Sequence, residues 1–200
     1  MDKYLKSCKS RFWENVFHAE TEYILKNLND SKDILSVGCG PAIIEKSLAE
    51  HCYNITGLDI SQEALGQAPD SIRTITCSAE KMSAADYSFD AVIYVASLQF
   101  VDDYKKAVEE TARVLKSDGK LLVMLLNPQS EFFKEKIKKT DSYVNRIKHT
   151  DLKEIENVIA KYFSVESEYF MGITDQDLFE TKRPSFASLY VIKGIKDKRI

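Results

Sequence analysis

The chain has 200 residues, of which 44% are hydrophobic and 30% charged, and its formal net charge at pH 7 is -3. This balance excludes a disordered chain and predicts a globular one, and the lack of a basic excess argues against nucleic acid as a partner. The longest apolar run, Leu121–Leu126, has only the length of a strand, so we expect no membrane span and no membrane partner.

The first 126 residues predict a helical cap followed by alternating strands and helices. Residues 1–30 should form the cap, because apolar residues recur at helical spacing between about Asp2 and Leu28. From residue 31 to 126, short apolar runs alternate with helical segments, which is typical of parallel βαβ units. The predicted strands are Asp33–Val37, Asn54–Leu58, Ile72–Cys77, Phe89–Val95 and Lys120–Leu126. The predicted helices are Ala42–His51, a short helix after Ser61, and Asp102–Lys116 with Gly119 as its stop signal.

Residues 127–200 follow a different pattern, with two helices and then two strands. These elements are predicted over about Glu131–Lys138, Asp151–Lys161, Ser164–Phe170 and Phe186–Lys193, with Thr150 as the candidate N-cap of the second helix. The two strands leave no room for a helix between them and should pair antiparallel at one edge of the sheet. The fold prediction is therefore α/β: one domain over residues 1–200 with a doubly wound, seven-stranded sheet, mostly parallel with one antiparallel edge strand, under an N-terminal helical lid.

The most informative segment is Ile34–Ala42, in which a strand runs directly into a turn containing Gly38 and Gly40 and then into a helix. Glycine is needed where φ is positive or where a ligand approaches the backbone closely, and a helix N-terminus attracts electron-rich groups. In a doubly wound sheet this turn lies at the carboxyl edge, where ligands bind. The segment therefore predicts a ligand site at residues 38–40.

A carboxylate at the end of the second strand indicates the ligand class. Asp59 lies 21 residues after Gly38, where an acidic side chain accepts hydrogen bonds from a ribose diol. The dinucleotide fingerprint requires a third glycine at the position of Ile43, and its absence argues against NAD and FAD. The two features predict an adenosine-containing ligand that is not a dinucleotide. A nicotinamide-dependent oxidoreductase is thus the least favoured alternative.

Five segments, in this order, resemble the class I S-adenosylmethionine-dependent methyltransferases that carry a type 11 methyltransferase domain. The resemblance covers about residues 30–126 firmly and the rest of the chain more loosely. It implies a Rossmann-like methyltransferase fold, with S-adenosylmethionine as cofactor and S-adenosylhomocysteine as product. The matching segments are Ile34–Gly40, Gly57–Ser61, Cys77–Met82, Ser88–Ile93 and Ala112–Leu121.

The resemblance also implies which residues contact the cofactor. Its amino-acid part and ribose would be contacted by Gly38, Cys39, Gly40 and Asp59. Its adenine would be contacted by Ile60, Ala79 and Glu80, and its sulfonium end by Val95 and Leu98. Gln99 stands where many relatives carry a histidine that faces the substrate, so it is a weak candidate for a catalytic residue.

Three positions depart from the family pattern. Ser36 replaces an Asp or Glu that helps to hold the cofactor's ammonium group, and it would act through water with less charge complementarity. Ala42 replaces the usual third glycine, and Ser78 replaces a common Asp beside the adenine. These departures motivate an alternative function, a module that binds S-adenosylmethionine without turnover.

The acceptor site is less defined, because methyl transfer from a sulfonium needs positioning and a dry cavity rather than a dedicated triad or a metal. By resemblance, N-terminal aromatic residues would form a lid over the cofactor, although their spacing equally fits simple burial of the helix. These are Tyr4, Phe12 and Trp13. The segment Asn127–Ile147 would form the opposite wall and contribute Phe132, Phe133 and Tyr143. Their aromatic character predicts a small, partly apolar metabolite as the acceptor.

The remaining signals concern metal binding and location. The cysteines Cys8, Cys39, Cys52 and Cys77 contain no CxxC pair, so no metal site is predicted, and Cys39 is expected to be a packing residue rather than a nucleophile. The N-terminus leads into charged sequence and not into an apolar signal core, which predicts a cytoplasmic protein. With the five matching segments, the sequence as a whole predicts a methyltransferase of the EC 2.1.1 class.

Overall fold

Residues 10–174 and 177–197 are described by the computed structural model. The predicted lid residue Tyr4 and Cys8 lie outside these ranges. The strands in chain order are β1 (Asp33–Val37), β2 (Asn54–Asp59), β3 (Arg73–Thr76), β4 (Phe89–Val95), β5 (Leu115–Leu126), β6 (Phe163–Ile173), β7 (Leu178–Phe179) and β8 (Ala187–Lys196).

Six α-helices lie in the described residues, and two single turns of 3-10 helix cover Leu98–Phe100 and Tyr143–Arg146. The α-helices are α1 (Arg11–Asn27), α2 (Ile43–Ala49), α3 (Gln62–Leu65), α4 (Tyr104–Val114), α5 (Glu131–Ile137) and α6 (Leu152–Ile159). Most of them begin at a Ser or Asp whose side chain accepts a backbone N–H of the first turn, which satisfies a donor that the helix itself leaves unpaired. These N-caps are Ser10, Ser61, Asp103, Ser130 and Asp151.

Two predicted boundary signals are wrong. The N-cap of α6 is Asp151 and not Thr150, because the Asp151 carboxylate accepts the N–H of Glu154 at 2.9 Å. Gly119 does not stop α4, since that helix ends at Val114 and β5 begins at the next residue. Gly119 instead lies at a tight bend within β5, where a Cβ atom would stand 2.8 Å from the carbonyl oxygen of Lys116.

The strands form one sheet in the order β3-β2-β1-β4-β5-β8-β6-β7. The pairs from β3 through β5 are all parallel, whereas β8 is antiparallel to both β5 and β6. This arrangement confirms the α/β, doubly wound and mostly parallel sheet. The count is eight rather than seven because Leu178–Phe179 forms a two-residue edge strand beside β6. The long reversed strand β8 lies inside the sheet, between β5 and β6.

Both faces of the sheet are covered, as a doubly wound fold requires. Alternate residues of β4 enter different core clusters: Val92 and Tyr94 pack with α4 and α6, and Ala91 and Ile93 pack with α1 and α2. The hydroxyl of the fully buried Tyr94 lies 2.7 Å from Thr111 Oγ1, which satisfies its polar atom.

The strand order places the end of β1 at the topological switch point. The chain leaves β1 toward β2 on one side, and β4 pairs with β1 on the other, so a crevice opens beyond the carboxyl ends of these strands. The glycine turn therefore stands at the edge where such sheets bind ligands. Within the described ranges, no helix has the length and apolar character that a bilayer crossing demands.

Candidate cofactor and acceptor site

Backbone hydrogen bonds hold the turn after β1 against the end of β2. The N–H groups of Gly38 and Cys39 both donate to the carbonyl oxygen of Leu58, at 2.6 and 3.1 Å. Gly38 and Gly40 have φ angles of 76° and 56°, in the left-handed region that glycine adopts without strain. The non-glycine residue Ala42, with φ 57°, continues this bend into α2.

The two glycines of the turn serve different purposes. A Cβ atom at Gly38 would lie 2.5 Å from the Cβ of Ser97, whose hydroxyl donates to the Val37 carbonyl at 2.6 Å. Gly38 is thus required by the packing of the β4 end over the turn. A Cβ atom at Gly40 would have no neighbour within 4 Å, so the backbone there is open to a ligand.

The Asp59 side chain points toward the glycine turn. Its Oδ2 accepts the Gly40 N–H and its Oδ1 accepts the Ser61 N–H, both at 2.8 Å. Each carboxylate oxygen has a second lone pair, so both can accept a further hydrogen bond from a diol. Asp59 and Gly40 line the same cavity. The arrangement fits a ribose, and this contact remains a prediction.

A carboxyl group stands beside Ser36 although the carboxyl-terminal end of β1 carries none of its own. Glu45, in the first turn of α2, accepts a hydrogen bond from Ser36 Oγ at 2.5 Å. Both side chains are buried and line the cavity. Burial raises the pKa of Glu45 to about 7. Glu45 can therefore supply the negative charge that Ser36 lacks, and the sequence reasoning did not identify it.

A second buried acid, Glu20 of α1, lines the same cavity. Burial, reinforced by the nearby charge of Glu45, raises its pKa to about 8. The aromatic Tyr143 lines the cavity as well, and the pKa of its hydroxyl is raised by burial and by the charge of Glu20. Glu20 was also not predicted, although its position within the apolar stripe of the first helix is a signal that the sequence contains.

The predicted adenine wall lies at the ends of β2 and β3. Ile60 is 76% exposed at the cavity edge, and Ala79 and Glu80 line the cavity beside it. One Glu80 carboxylate oxygen accepts the N–H of Asp103 at 2.8 Å, and Ser78 Oγ accepts the N–H of Glu80 at 3.1 Å. An exposed aliphatic side chain at a cavity edge suits contact with a flat apolar ring.

Cys39 is a packing residue in this structure. Its Sγ would lie 2.7 Å from a Cβ atom built at Gly57, so the thiol fills the space that this glycine leaves. Burial and the nearby carboxylates Glu45 and Asp59 raise the pKa of the Cys39 thiol well above its usual value. The thiol therefore stays protonated and unreactive near neutral pH.

The cavity has a volume of about 1230 Å³ and extends from the glycine turn to the segment after β5. Val95 and three of the predicted aromatic residues line it, namely Trp13, Phe132 and Tyr143. Trp13 and Phe132 approach each other edge to face, with ring centroids 6.5 Å apart. Phe12 and Phe133 instead pack into the core cluster on this face of the sheet.

Two predicted site residues point away from the cavity. Leu98 is fully buried in the core on the opposite face. Gln99 is also fully buried, and its amide is used internally: Nε2 donates to the carbonyls of Leu126 and His149, and Oε1 accepts the Leu126 N–H at 2.7 Å. Gln99 therefore braces β5 against the following segment, and its position does not support a direct role with the substrate.

Metal ligation has no structural basis in the described part of the chain. No group of three or more His, Cys, Asp or Glu side chains lies close enough there to hold a metal ion. Cys39, Cys52 and Cys77 are free thiols.

Comparison with known proteins identifies the central part of the chain. A family model described as a methyltransferase domain matches residues 35–123, which include the glycine turn, Asp59 and the adenine wall. The match ends within β5, so the segment predicted to form the acceptor wall lies beyond it. The family match thus concerns the part of the cavity where the cofactor is predicted to bind.

Individual relatives extend this result. An uncharacterized protein of Methanocaldococcus jannaschii is 31% identical over 126 residues, which cover 63% of this chain and 55% of that protein. A ubiquinone biosynthesis O-methyltransferase of Idiomarina loihiensis is 34% identical over 104 residues, covering 48% of this chain and 43% of that enzyme. The chain thus spans about half the length of these relatives.

Solved structures reveal the same fold at lower sequence identity. The crystal structure of a SAM dependent methyltransferase from Archaeoglobus fulgidus superposes with a TM-score of 0.78 at 15% identity, covering 97% of this chain and 99% of that one. The likeness therefore spans the acceptor side and the reversed strand as well as the matched domain. Residues 35–123 thus match a methyltransferase-domain model, and the fold around them is shared with the solved methyltransferase structure from Archaeoglobus fulgidus.

Proposed function

We propose that this chain transfers a methyl group from S-adenosylmethionine to a small, partly apolar acceptor. The observation that carries the proposal is the open backbone at Gly40 beside the Asp59 carboxylate, in a cavity of about 1230 Å³. A site for one small ligand usually measures about 300–1,000 Å³. A cavity above this range has room for an acceptor next to the cofactor.

Residues at three places would hold the cofactor. Asp59 would accept the two ribose hydroxyls, and Ile60 would pack against the adenine. Glu45, positioned by Ser36, would face the ammonium group of the methionine part. Together these side chains match the diol, the aromatic ring and the cation of S-adenosylmethionine.

The bound cofactor supplies a methyl carbon that is already activated by the sulfonium. The protein must therefore orient the acceptor and exclude water, because the displacement is in-line and positioning lowers its barrier. Trp13 on α1 and Phe132 on α5 line the cavity and meet edge to face, and they would help to exclude water from the acceptor. The Idiomarina relative, an O-methyltransferase by its description, supports this reaction class.

The alternative of a binding module without turnover loses part of its motivation. It depended on the missing acid at Ser36, and Glu45 supplies a carboxyl group at hydrogen-bond distance from that serine. Ser78 likewise lacks the family carboxylate, but Glu80 stands two residues away on the same wall of the cavity. An active enzyme is therefore the better supported function.

The test is calorimetric titration with S-adenosylhomocysteine of the unchanged protein, Asp59→Ala and the exposed control Asp70→Ala. We expect binding by the unchanged protein and the control, and an affinity about 10- to 100-fold lower for Asp59→Ala, as loss of charge-assisted hydrogen bonds implies. A screen for methyl transfer from labelled S-adenosylmethionine to small metabolites then tests turnover. Equal affinity of Asp59→Ala and Asp70→Ala would contradict the proposed ribose contact.

A further inference from the structure

Glu20 is an acid in an apolar stripe. Helical spacing puts it on one face of α1 with Trp13, Val16, Phe17 and Ile24. That face packs toward the sheet and the cavity, and Glu20 is only 6% exposed. An aliphatic side chain would serve helix packing at this position better, so the carboxyl group needs another explanation.

The Glu20 carboxyl group forms no hydrogen bond or ion pair with any residue in the described ranges. Its nearest charged neighbour is another acid, Glu45, which cannot compensate its charge. A buried charge without a partner is strongly destabilising, whereas the same charge opposite a cation is stable. An acid of this kind that lines a cavity indicates a cationic or N–H-bearing group in the ligand.

The cofactor can account for only one of the two acids. S-adenosylmethionine carries one ammonium group, and Glu45 already stands beside Ser36, at the end of β1 where that group is expected. Glu20 lines the cavity from α1 together with Trp13, whose ring approaches Phe132 of the predicted acceptor wall. We therefore assign Glu20 to the acceptor side of the cofactor's amino end.

Two cavity-lining serines, Ser142 and Ser188, have buried hydroxyls without a hydrogen-bond partner in the described residues. Ser188, on the central strand β8, is 1% exposed, and its Oγ has no hydrogen-bond partner within the described residues. A buried hydroxyl of this kind indicates that the ligand bound in the cavity carries a polar group. Basic residues also line the cavity: Lys139, Arg146 and Lys148 are exposed at its rim, where water screens their charge. The half-buried Lys136 lines it as well, with its Nζ 5.7 and 5.2 Å from the ring centroids of Trp13 and Phe132.

We propose that the methyl acceptor is a small amine with an apolar body, and that Glu20 binds its amino group. This inference rests on the proposed function, because it assigns the half of the cavity that the cofactor leaves free. The aromatic side chains Trp13 and Phe132 would surround the apolar body of the amine. Glu20 would then stabilise the ammonium form or accept a hydrogen bond from the N–H of the neutral amine.

The test compares an amine with its matched alcohol on the protein saturated with S-adenosylhomocysteine. The probes are 2-phenylethylamine and 2-phenylethanol, and the proteins are unchanged chain, Glu20→Gln and Glu14→Gln, an exposed control on the same helix. We expect the unchanged protein and the control to bind the amine at least about tenfold more tightly than the alcohol. Glu20→Gln should bind both equally, with unaltered affinity for S-adenosylhomocysteine.

Three outcomes would overturn the inference. Equal binding of amine and alcohol by the unchanged protein would show that the cavity has no site for the amino group. An amine preference that survives in Glu20→Gln would show that another residue binds the amino group. A loss of S-adenosylhomocysteine affinity in Glu20→Gln would show that Glu20 contacts the cofactor's ammonium group instead. Failure of the proposed function is distinct, because the unchanged protein would then not bind S-adenosylhomocysteine.

Discussion

At the scale of single residues, the pair Ser36 and Glu45 offers a way to hold the amino end of the proposed cofactor without an acid at the carboxyl-terminal end of β1. The hydrogen bond of 2.5 Å between their side chains fixes the carboxyl group of α2 next to the strand end. The carboxyl group that would face the ammonium group thus belongs to α2, which follows the strand. Glu45 lies nine residues after Ser36 but brings its carboxyl group to the place where relatives carry an acid on the strand.

Glu45→Gln should lower the affinity for S-adenosylhomocysteine by about 10- to 100-fold, since it removes a buried charge opposite an ammonium group. The same variant should bind 5′-methylthioadenosine, which lacks the amino-acid part, as tightly as the unchanged protein. Calorimetry with both ligands measures the difference, and Glu50→Gln, exposed at the end of α2, is the control. Equal losses for the two ligands would show that Glu45 does not face the ammonium group.

The two glycines of the turn should respond differently to alanine. Gly38→Ala should destabilise the fold by about 1–3 kcal/mol, because its Cβ would collide with Ser97 at a positive φ. Gly40→Ala meets open space, so only the backbone strain of about 1 kcal/mol applies, but its methyl group would project into the ligand site. Urea unfolding and S-adenosylhomocysteine titration should separate the effects: mainly stability for Gly38, mainly affinity for Gly40. A loss mainly of affinity in Gly38→Ala and mainly of stability in Gly40→Ala would contradict the packing role of Gly38 and the ligand-facing role of Gly40.

Sequence reasoning at this scale was sufficient for residues close to a motif and insufficient for residues brought in from elsewhere. Gly38, Gly40 and Asp59 lie on strand ends, and spacing along the chain identified them as lining the site. Glu45 and Glu20 come from helices that meet only after folding, so no local spacing relates them. Gln99 became a weak candidate through the family resemblance, which could not show that its amide hydrogen-bonds to buried backbone groups.

At the scale of elements, the loop between β3 and β4 is held by one side chain of α4. The Arg113 guanidinium donates to the carbonyls of Met82 and Ala84 at 3.0 and 2.8 Å. It also forms ion pairs with Glu110 and Asp86. This loop carries the predicted adenine wall, so the helix fixes the geometry of the cofactor site from outside the cavity.

Arg113→Met should destabilise the protein by about 1–3 kcal/mol, because it leaves two carbonyl oxygens and two carboxylates without their donor. Because the adenine wall would loosen, the affinity for S-adenosylhomocysteine should fall as well, although Arg113 lies outside the cavity. Lys161→Met, at an exposed site, is the control for loss of a positive charge. Wild-type affinity in a destabilised Arg113→Met would show that the loop is held by other contacts.

Helices and strands could be predicted where the hydrophobic pattern lies within one element. They were predicted less well where contacts with other elements set their first and last residues. The predicted β4, Phe89–Val95, agrees with the structure at both ends because its apolar run is bounded by polar turns. The start of β5 was missed by five residues, since Leu115 pairs with Phe89 across a bulge that only the neighbouring strand defines. The insertion of β8 between β5 and β6 follows from pairing and not from any sequence period.

At the scale of the whole molecule, two buried acids should make stability depend on pH. Glu20 and Glu45 have raised pKa values of about 8 and about 7 in the folded protein, against 4.5 for the unperturbed side chain. Between pH 4.5 and about 8, the folded chain therefore binds more protons than the unfolded chain. By linkage, the free energy of unfolding of the ligand-free protein should fall as the pH rises from 4.5 through about 8.

Urea unfolding at pH 5, 6, 7 and 8 measures this slope for the unchanged protein and for the double variant Glu20→Gln, Glu45→Gln. The double variant should show a flatter dependence, because neither glutamine titrates. Its excess stability over the unchanged protein should be greatest at pH 8. Parallel curves for the two proteins would contradict the burial of the acids.

The overall fold followed from the order of short apolar runs and glycine turns, because a βαβ rhythm leaves few ways to cover both faces of a sheet. The acceptor site did not, since its walls come from α1, α5 and β8, which are far apart in the chain. Aromatic residues were a guide to the walls, and Trp13, Phe132 and Tyr143 do line the cavity. The buried acids of the cavity, Glu20 and Glu45, had no sequence signal beyond their position among apolar residues.

The most direct measurement is a crystal structure of the protein with S-adenosylhomocysteine. We expect the ribose hydroxyls within hydrogen-bond distance of Asp59 and the adenine against Ile60. We also expect the ammonium group beside Glu45 and Ser36, with free space between the sulfur and Glu20. A ligand with its ribose away from Asp59, or bound outside the glycine turn, would contradict the proposed cofactor site.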